Sequence, residues 1–440
     1  MSTEQDVDGG LATTATGTAP EPPPVDLALI DANTAGSLSE YARAWVKRIR
    51  NGDIGLLPVI GGLILIVIIF QTQKSVFLSA GNFAALLSQA SYFILFGMAE
   101  VFVLLLGEID LSTGYVAACG AVVTLILAGQ LHNVPWWLAI IAGLALTTVI
   151  GAVQGALVTR LRLPSFVVTL GGLLAFEGLL LFILNKYAGK SSGGTVAITN
   201  TILVDLDNGA VTPAAGWIIM VVLVMVFAAF VLFRDRARKA SGLVAPPLAL
   251  NVIKIVAVAV VGVAVVVICN LNRGPSRGRV IEGVPWCVFI ILGIVTAATF
   301  LLSRTRFGRY VYAVGGNAEA ARRSGINVNR IRLMCFTLCS FTAGLAGLFY
   351  ASFIQSISQS VDGGNLVLYA VAAAVIGGTS LFGGRGKIIH AVLGGVVIAT
   401  IYNGMGLVGL SADAQDIVTA LVLIAAATVD AVARRGRTAA

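Results

Sequence analysis

Hydrophobic positions in this chain run unbroken for about twenty residues at a time, the length a helix needs to cross a bilayer core, and polar residues gather between the runs. Twelve such runs lie at 54–70, 86–106, 111–129, 135–157, 166–185, 215–233, 247–269, 284–303, 333–354, 366–382, 388–409 and 415–433. Strands of a closed membrane barrel alternate apolar and polar residues, so the pattern predicts an all-α polytopic membrane protein. Two segments are interrupted and are expected to be broken or re-entrant. GEIDLS at 107–112 sets Glu108 and Asp110 between apolar runs with no proper loop, and IGGTSLFGGRGK at 376–387 carries four glycines ahead of Arg385. Irregular backbone at membrane depth is tolerated only where it faces protein or a watery cavity.

The ends follow a different pattern. Residues 1–36 are acidic, rich in Ala, Thr, Gly and Pro, and lack apolar periodicity, which predicts a disordered cytoplasmic tail. Over 37–52, Leu38, Tyr41, Ala42, Trp45 and Ile49 recur at helical intervals opposite Arg43, Lys47, Arg48 and Arg50, as in a helix lying on the membrane surface. The transmembrane domain then covers 53–433, and 434–440 form a second short tail.

Composition agrees: of 440 residues, 58% are hydrophobic and 11% charged, with a mean hydropathy of +0.94. A formal charge of +8 does not indicate nucleic acid, because Lys and Arg fall mainly between the runs. With the first tail inside and each run crossing once, 22 of the 29 basic residues lie in inside segments and 6 outside, with Lys254 in a span. That asymmetry places both termini in the cytoplasm. The basic stretch at 270–279 falls outside by parity.

Several chemistries lack their residues. Gly386-Lys387 is the nearest approach to a phosphate-cradling loop, but Ile388 stands where Ser or Thr is needed and Leu381 where the first glycine belongs. The chain is therefore not expected to hydrolyse ATP. GMGLVG at 404–409 follows no strand and reads as helix packing, as does GAVQG at 151–155. Only His132 and His390 are available for histidine chemistry, and the five cysteines read as small buried hydrophobes. No metal site is expected.

Candidate path residues are the ionisable and polar side chains in or near spans. Glu100, Glu108, Asp110, Glu177, Lys254 and Asp430 are ionisable, and an ion-coupled carrier would use such acids. GEIDLS also reads as a tight turn with a capping aspartate. Ser112, Gln154, Thr169, Asn365, Asn403 and Gln415 offer hydrogen bonds to a neutral polyol, and Phe166, Tyr369 and Tyr402 offer flat faces to a ring.

The segment 304–332 is the longest Arg-rich stretch between apolar runs. After Gly315 and Gly316, Asn317 suits a helix cap, Glu319 the first turn, Arg322 and Arg323 the last turn, and Gly325 a left-handed stop. Ala318, Ala320 and Ala321 are too small to anchor a core. The short helix fits another protein's cleft better than it folds alone, and an ordinary basic loop is the alternative.

GEIDLSTG (107–114), LPSFVVTLGGLLAFEGL (163–179), TRFGRYVYAVGGNAEAARRSGINVNR (305–330), IGGTSLFGGRGK (376–387) and NGMGLVG (403–409) together resemble the permeases of bacterial ABC importers for ribose, xylose and related sugars. The likeness runs in order from about 85 to 435, and the run at 247–269 with the NRGPSRGRVIEGVP stretch is most similar to the D-xylose branch. The resemblance implies a permease in the bacterial inner membrane that dimerises with a second copy and sits on a cytoplasmic ATPase. That ATPase would bind ATP and magnesium, so no cofactor belongs to this chain. It further implies that sugar arrives from an extracytoplasmic binding protein, and that GGNAEAARRSGI is the coupling helix. The chain departs from the family's usual pattern at three places: Glu177 replaces an Arg, Val367-Leu368-Tyr369 a Glu-Leu-Asp, and Ala414-Gln415 with Thr419 a Trp-Gln and Lys. An importer of the same architecture for a nucleoside or branched-chain amino acid, and an ion-coupled carrier, remain the alternatives.

Overall fold

The computed structural model describes residues 56–130, 134–188, 193–242, 246–274 and 280–438, with positions 43 and 46. The expected tail at 1–36 and surface helix at 37–52 lie outside the described residues, apart from those two positions. All twelve apolar runs are helices. In chain order they are α1 (Leu57–Gln73), α2 (Ala80–Leu104), α3 (Thr113–Leu125), which widens into a π-turn at Ile126–Gln130, α4 (Trp136–Arg160) and α5 (Ser165–Tyr187). A strand β1 (Thr195–Ala197) and a short helix α6 (Thr201–Asn208) precede α7 (Pro213–Ala240), α8 (Leu248–Cys269) and α9 (Trp286–Arg304). Next come α10 (Arg306–Gly316), α11 (Ala318–Arg323), α12 (Val328–Ile354), β2 (Ser356–Ser358), α13 (Gly363–Ile376), α14 (Ile388–Val408) and α15 (Ala412–Thr438).

Among the described residues, eight helices (α2, α4, α5, α7, α8, α9, α12 and α14) are long and apolar enough to cross a membrane, and α1, α3 and α13 are shorter apolar helices. The run expected to continue to 382 ends at Ile376. Its physical stop is a pair of backbone bonds, Gly378 N–H to Val375 O and Thr379 N–H to Ala374 O, with Gly378 left-handed at φ +107°.

The bundle is built around α2, in which every residue from Ala90 to Leu104 is buried. A helix apolar all round belongs at a centre rather than a surface. Against it pack α12, α13 and α14, while α3 and α4 close on the other side of α12. The GAVQG motif makes the α4–α12 contact: a Cβ on Gly151 would lie 2.5 Å from Phe336 O, and one on Gly155 would lie 3.0 Å from the Leu333 Cα. The antiparallel α7–α8 hairpin is peripheral and presents Ile218, Val222, Val226, Val256 and Val260 outward, as lipid-facing helices do. It is tied at one end by Asn251 Nδ2 donating to Asp235.

Connections predicted to share a side do meet. On one face, β1 pairs antiparallel with β2, placing Val196 opposite Ile357, and Asn82 Nδ2 donates to Asn403 Oδ1 at 2.8 Å. In the same region Arg273 donates to Cys269 O and Gly283 O, which gives one of the unexpectedly placed basic residues a local role. The other face gathers the Arg-rich connections around the end of α2, and we refer to it as the basic face.

Candidate functional site

The two interrupted segments and the Arg-rich segment converge at the end of α2. That helix stops on backbone geometry: Gly107 N–H bonds Leu104 O, Glu108 N–H bonds Val103 O, and Gly107 is left-handed at φ +74°. Leu105 O is thereby freed, and it accepts Gly384 N–H of the second interruption at 2.8 Å. Gly315, near the end of α10, seals the contact: a Cβ there would fall 1.8 Å from Leu105 O and 2.8 Å from Gly384 N. Tyr312 OH, one turn earlier, donates to Gly386 O at 2.8 Å. Three stretches of backbone, 210 and 69 residues apart in the chain, thus touch where only glycine fits.

α10 was not anticipated as a helix. Thr305 caps it by accepting Gly308 N–H, it buries Gly308, Val311 and Val314, and it exposes Arg306, Arg309 and Tyr310. The spacing of Val311 and Val314 on one face was the available signal. Beyond it, α11 has the expected anatomy. Asn317 accepts Ala320 N–H at 2.9 Å, and Glu319 pairs with Arg322 at 2.8 Å and Arg323 at 3.3 Å. Gly325 adopts φ +82°, while Gly316 lies open beside the junction.

From the junction a polar cluster leads into the bundle. Asp110 accepts Ser112 N–H at 2.9 Å and Ser112 Oγ–H at 2.6 Å, an Asx turn that matches the tight-turn reading of GEIDLS, although the helix that follows, with Ser112 at its N-cap position, has no side-chain cap. Ser112 Oγ accepts Gln154 Nε2–H at 2.8 Å. Thr113 Oγ1 donates to Glu100 Oε1 at 3.1 Å, and Thr169 Oγ1 to Ile109 O at 3.3 Å. Asp110, Ser112, Gln154, Thr169 and Glu100 are all buried. One oxygen each on Glu100, Asp110 and Gln154 is left without a hydrogen bond. At the edge of this cluster Glu108 meets Arg332 at 3.2 Å, a partner that sequence spacing did not indicate.

The remaining candidates lie elsewhere. Tyr369 and Tyr402 pack edge-on against each other and against Phe93, with centroids 5.5–6.0 Å apart. Asn403 is bonded to Asn82 on the opposite face, Asn365 donates to Asp416 at 3.1 Å, and Gln415 donates to Leu410 O within its own turn. Phe166 is 57% exposed. Glu177 lies beside Tyr115, whose ring abuts Gly363 at the start of α13. All five cysteines are buried and free. Among the described residues no group of His, Cys, Asp and Glu is arranged to hold a metal. A cavity of about 880 Å³ is lined mainly by apolar side chains of α2, α7, α9 and α12, including Phe102, Leu223, Phe289 and Leu345. It suits a hydrocarbon better than a hydroxyl-rich solute.

A helical membrane bundle with broken segments meeting an Arg-rich capped helix defines a polytopic permease. Residues 82–427 match the family described as branched-chain amino acid transport system/permease component, and the chain belongs to that family. It is 33% identical to the xylose transport system permease protein of Escherichia coli strain K12 over 385 residues, 87% of this chain and 93% of the relative. To the protein of the same description from Haemophilus influenzae it is 33% identical over 361 residues, 80% of this chain and 90% of the relative. It is 30% identical to the ribose import permease protein of E. coli strain K12 over 369 residues, 84% and 91% of the two chains. No solved structure gives a significant match. The resemblance to sugar permeases carried by the motifs is borne out.

Proposed function

We propose that this chain is the membrane subunit of an ATP-driven importer in the bacterial cytoplasmic membrane, carrying a monosaccharide inward, a pentose such as xylose. Its basic face is cytoplasmic. A separate ATPase, which binds ATP and magnesium, docks on α11, a sugar-binding protein docks on the opposite face, and two copies of the permease form the pathway. One observation carries the reading: the capped helix α11 follows directly from Gly315, which touches both Leu105, just ahead of the first interrupted segment, and Gly384 in the second. Closure of the ATPase would push on α11 and α10, and that movement reaches the end of α2 and the Gly384 segment through direct backbone contacts. Such an arrangement converts a docking event into a change of access between two discrete packings. Within the polar cluster Ser112, Gln154 and Thr169 supply hydrogen bonds of the neutral kind a sugar requires.

The family's description gives a second reading, import of a branched-chain amino acid, and the buried acids Glu100 and Asp110 support an ion-coupled carrier. Reconstitution in liposomes with cognate ATPase and binding protein separates the three. Xylose uptake that needs ATP is expected, with leucine not transported. Uptake that persists without the ATPase and collapses with the ion gradient would overturn the proposal.

A further inference from the structure

Resting on the importer reading above, we infer that the Glu108–Arg332 ion pair carries movement of the coupling segment into the buried polar cluster, and that both are positioning residues for transport. Arg332 lies in the second turn of α12, one short connection after α11. That connection is stiff: Gly325 N–H bonds Arg322 O, Ile326 N–H bonds Ala321 O, and Asn327 caps α12 by accepting Arg330 N–H. Displacement of α11 therefore reaches Arg332 with little slack. On the other side, Glu108 is followed by Ile109, whose carbonyl holds Thr169, and by Asp110, which holds Ser112 and through it Gln154. A continuous line of polar contacts runs from the exposed helix to the middle of the bundle.

Two observations separate this pair from an ordinary surface bridge. Its side chains are only 31% and 14% exposed, so solvent screens it less than an exposed pair. Arg322 and Arg323, by contrast, are engaged with Glu319 on their own helix and make no bond to the interruption. Nor is the pair needed to shape the segment that Glu108 belongs to. Backbone bonds at Gly107 and Glu108, the Asp110 turn and the Gly384–Leu105 bond already fix it. What the ion pair adds is a link between two elements that move relative to each other in the proposed cycle.

The test is a charge exchange in the reconstituted complex, with ATP-driven sugar uptake and ATP hydrolysis measured together. E108R and R332E should each lower uptake about 10-fold while the assembled complex continues to hydrolyse ATP, and E108R/R332E should recover to within about 3-fold of wild type. Wild-type uptake in either single variant, or a double variant no better than the worse single in assembled complexes, overturns the inference. Where a reversed charge prevents assembly, E108Q and R332Q replace it, and undiminished uptake in both is again contrary. If the wild-type complex itself takes up no sugar with ATP, the importer reading fails and the ion pair is not the cause.

Discussion

Asp207 illustrates how surroundings set the behaviour of one residue. It belongs to α6, outside the membrane spans, on the face opposite the basic one. Ser91 Oγ donates to its carboxylate at 2.7 Å and Ser88 Oγ to its carbonyl at 3.0 Å, while its own N–H donates to Ser352 Oγ. The second carboxylate oxygen has no hydrogen bond. Burial pushes the group from 3.8 up to about 7, against the opposing hydrogen bonds from Ser91 and Cys287. Between those pH values the folded chain holds a proton that the unfolded chain has released. Stability is therefore full below the lower value and is lost as pH rises through the window, by up to about 1.4 kcal/mol per unit. Thermal melts of the purified permease from pH 5 to 8 should show this decline, and Asp207→Asn should flatten it. Equal slopes in the two proteins would refute the assignment. The departures from the sugar-permease pattern are also local matters. Tyr369 and Thr419 line the same small cavity, so two departing positions meet across α13 and α15.

Among elements, the glycine-sealed junction is the most exacting. Gly315→Ala would drive a methyl group into Leu105 O, and overpacking of this kind costs about 1–3 kcal/mol. The expected outcome is a permease that still assembles with its ATPase but transports poorly, read as ATP hydrolysed per sugar moved. An unchanged ratio would show that the contact transmits nothing. The membrane helices were legible because a bilayer forces long apolar runs, and the stop at Gly325 was legible because a left-handed residue favours glycine. The short elements were not. β1, β2 and α6 are too brief for periodicity to register and are held by partners far along the chain. The extended limit placed on α13 failed because Leu381 and Phe382 continue the apolar run past the glycines that end the helix. Candidate residues such as Asp110 and Gln154 announced themselves as polar groups in apolar runs. Arg332, counted only as a topology signal, became interesting once the fold brought it to Glu108. A pairing across more than two hundred residues leaves no trace in local spacing.

At the scale of the whole molecule, the proposed function divides the work between the two faces, and α11 is where that division can be tested most cleanly. Arg322 and Arg323 are 62% and 80% exposed in their side chains, and their bonds to Glu319 are surface pairs worth little to the fold. Replacing both by Glu would therefore leave the bundle standing, since no packed side chain is removed. It would, however, present three acids in succession around Glu319 to a partner that the unmodified surface meets with two cations. Opposed charge at an interface acts on encounter and register more than on intrinsic stability. The double variant should retain its melting temperature in detergent while recovery of the cognate ATPase by co-purification falls about tenfold, with a steeper loss at low salt than at high salt. Replacing both by Ala should give an intermediate result, because it removes attraction without adding repulsion. Full recovery of the ATPase with both variants would place the docking surface elsewhere on the basic face, where Arg306, Arg309 and Tyr310 of α10 are also exposed. Loss of the ATPase together with a lower melting temperature would instead assign these arginines to the fold.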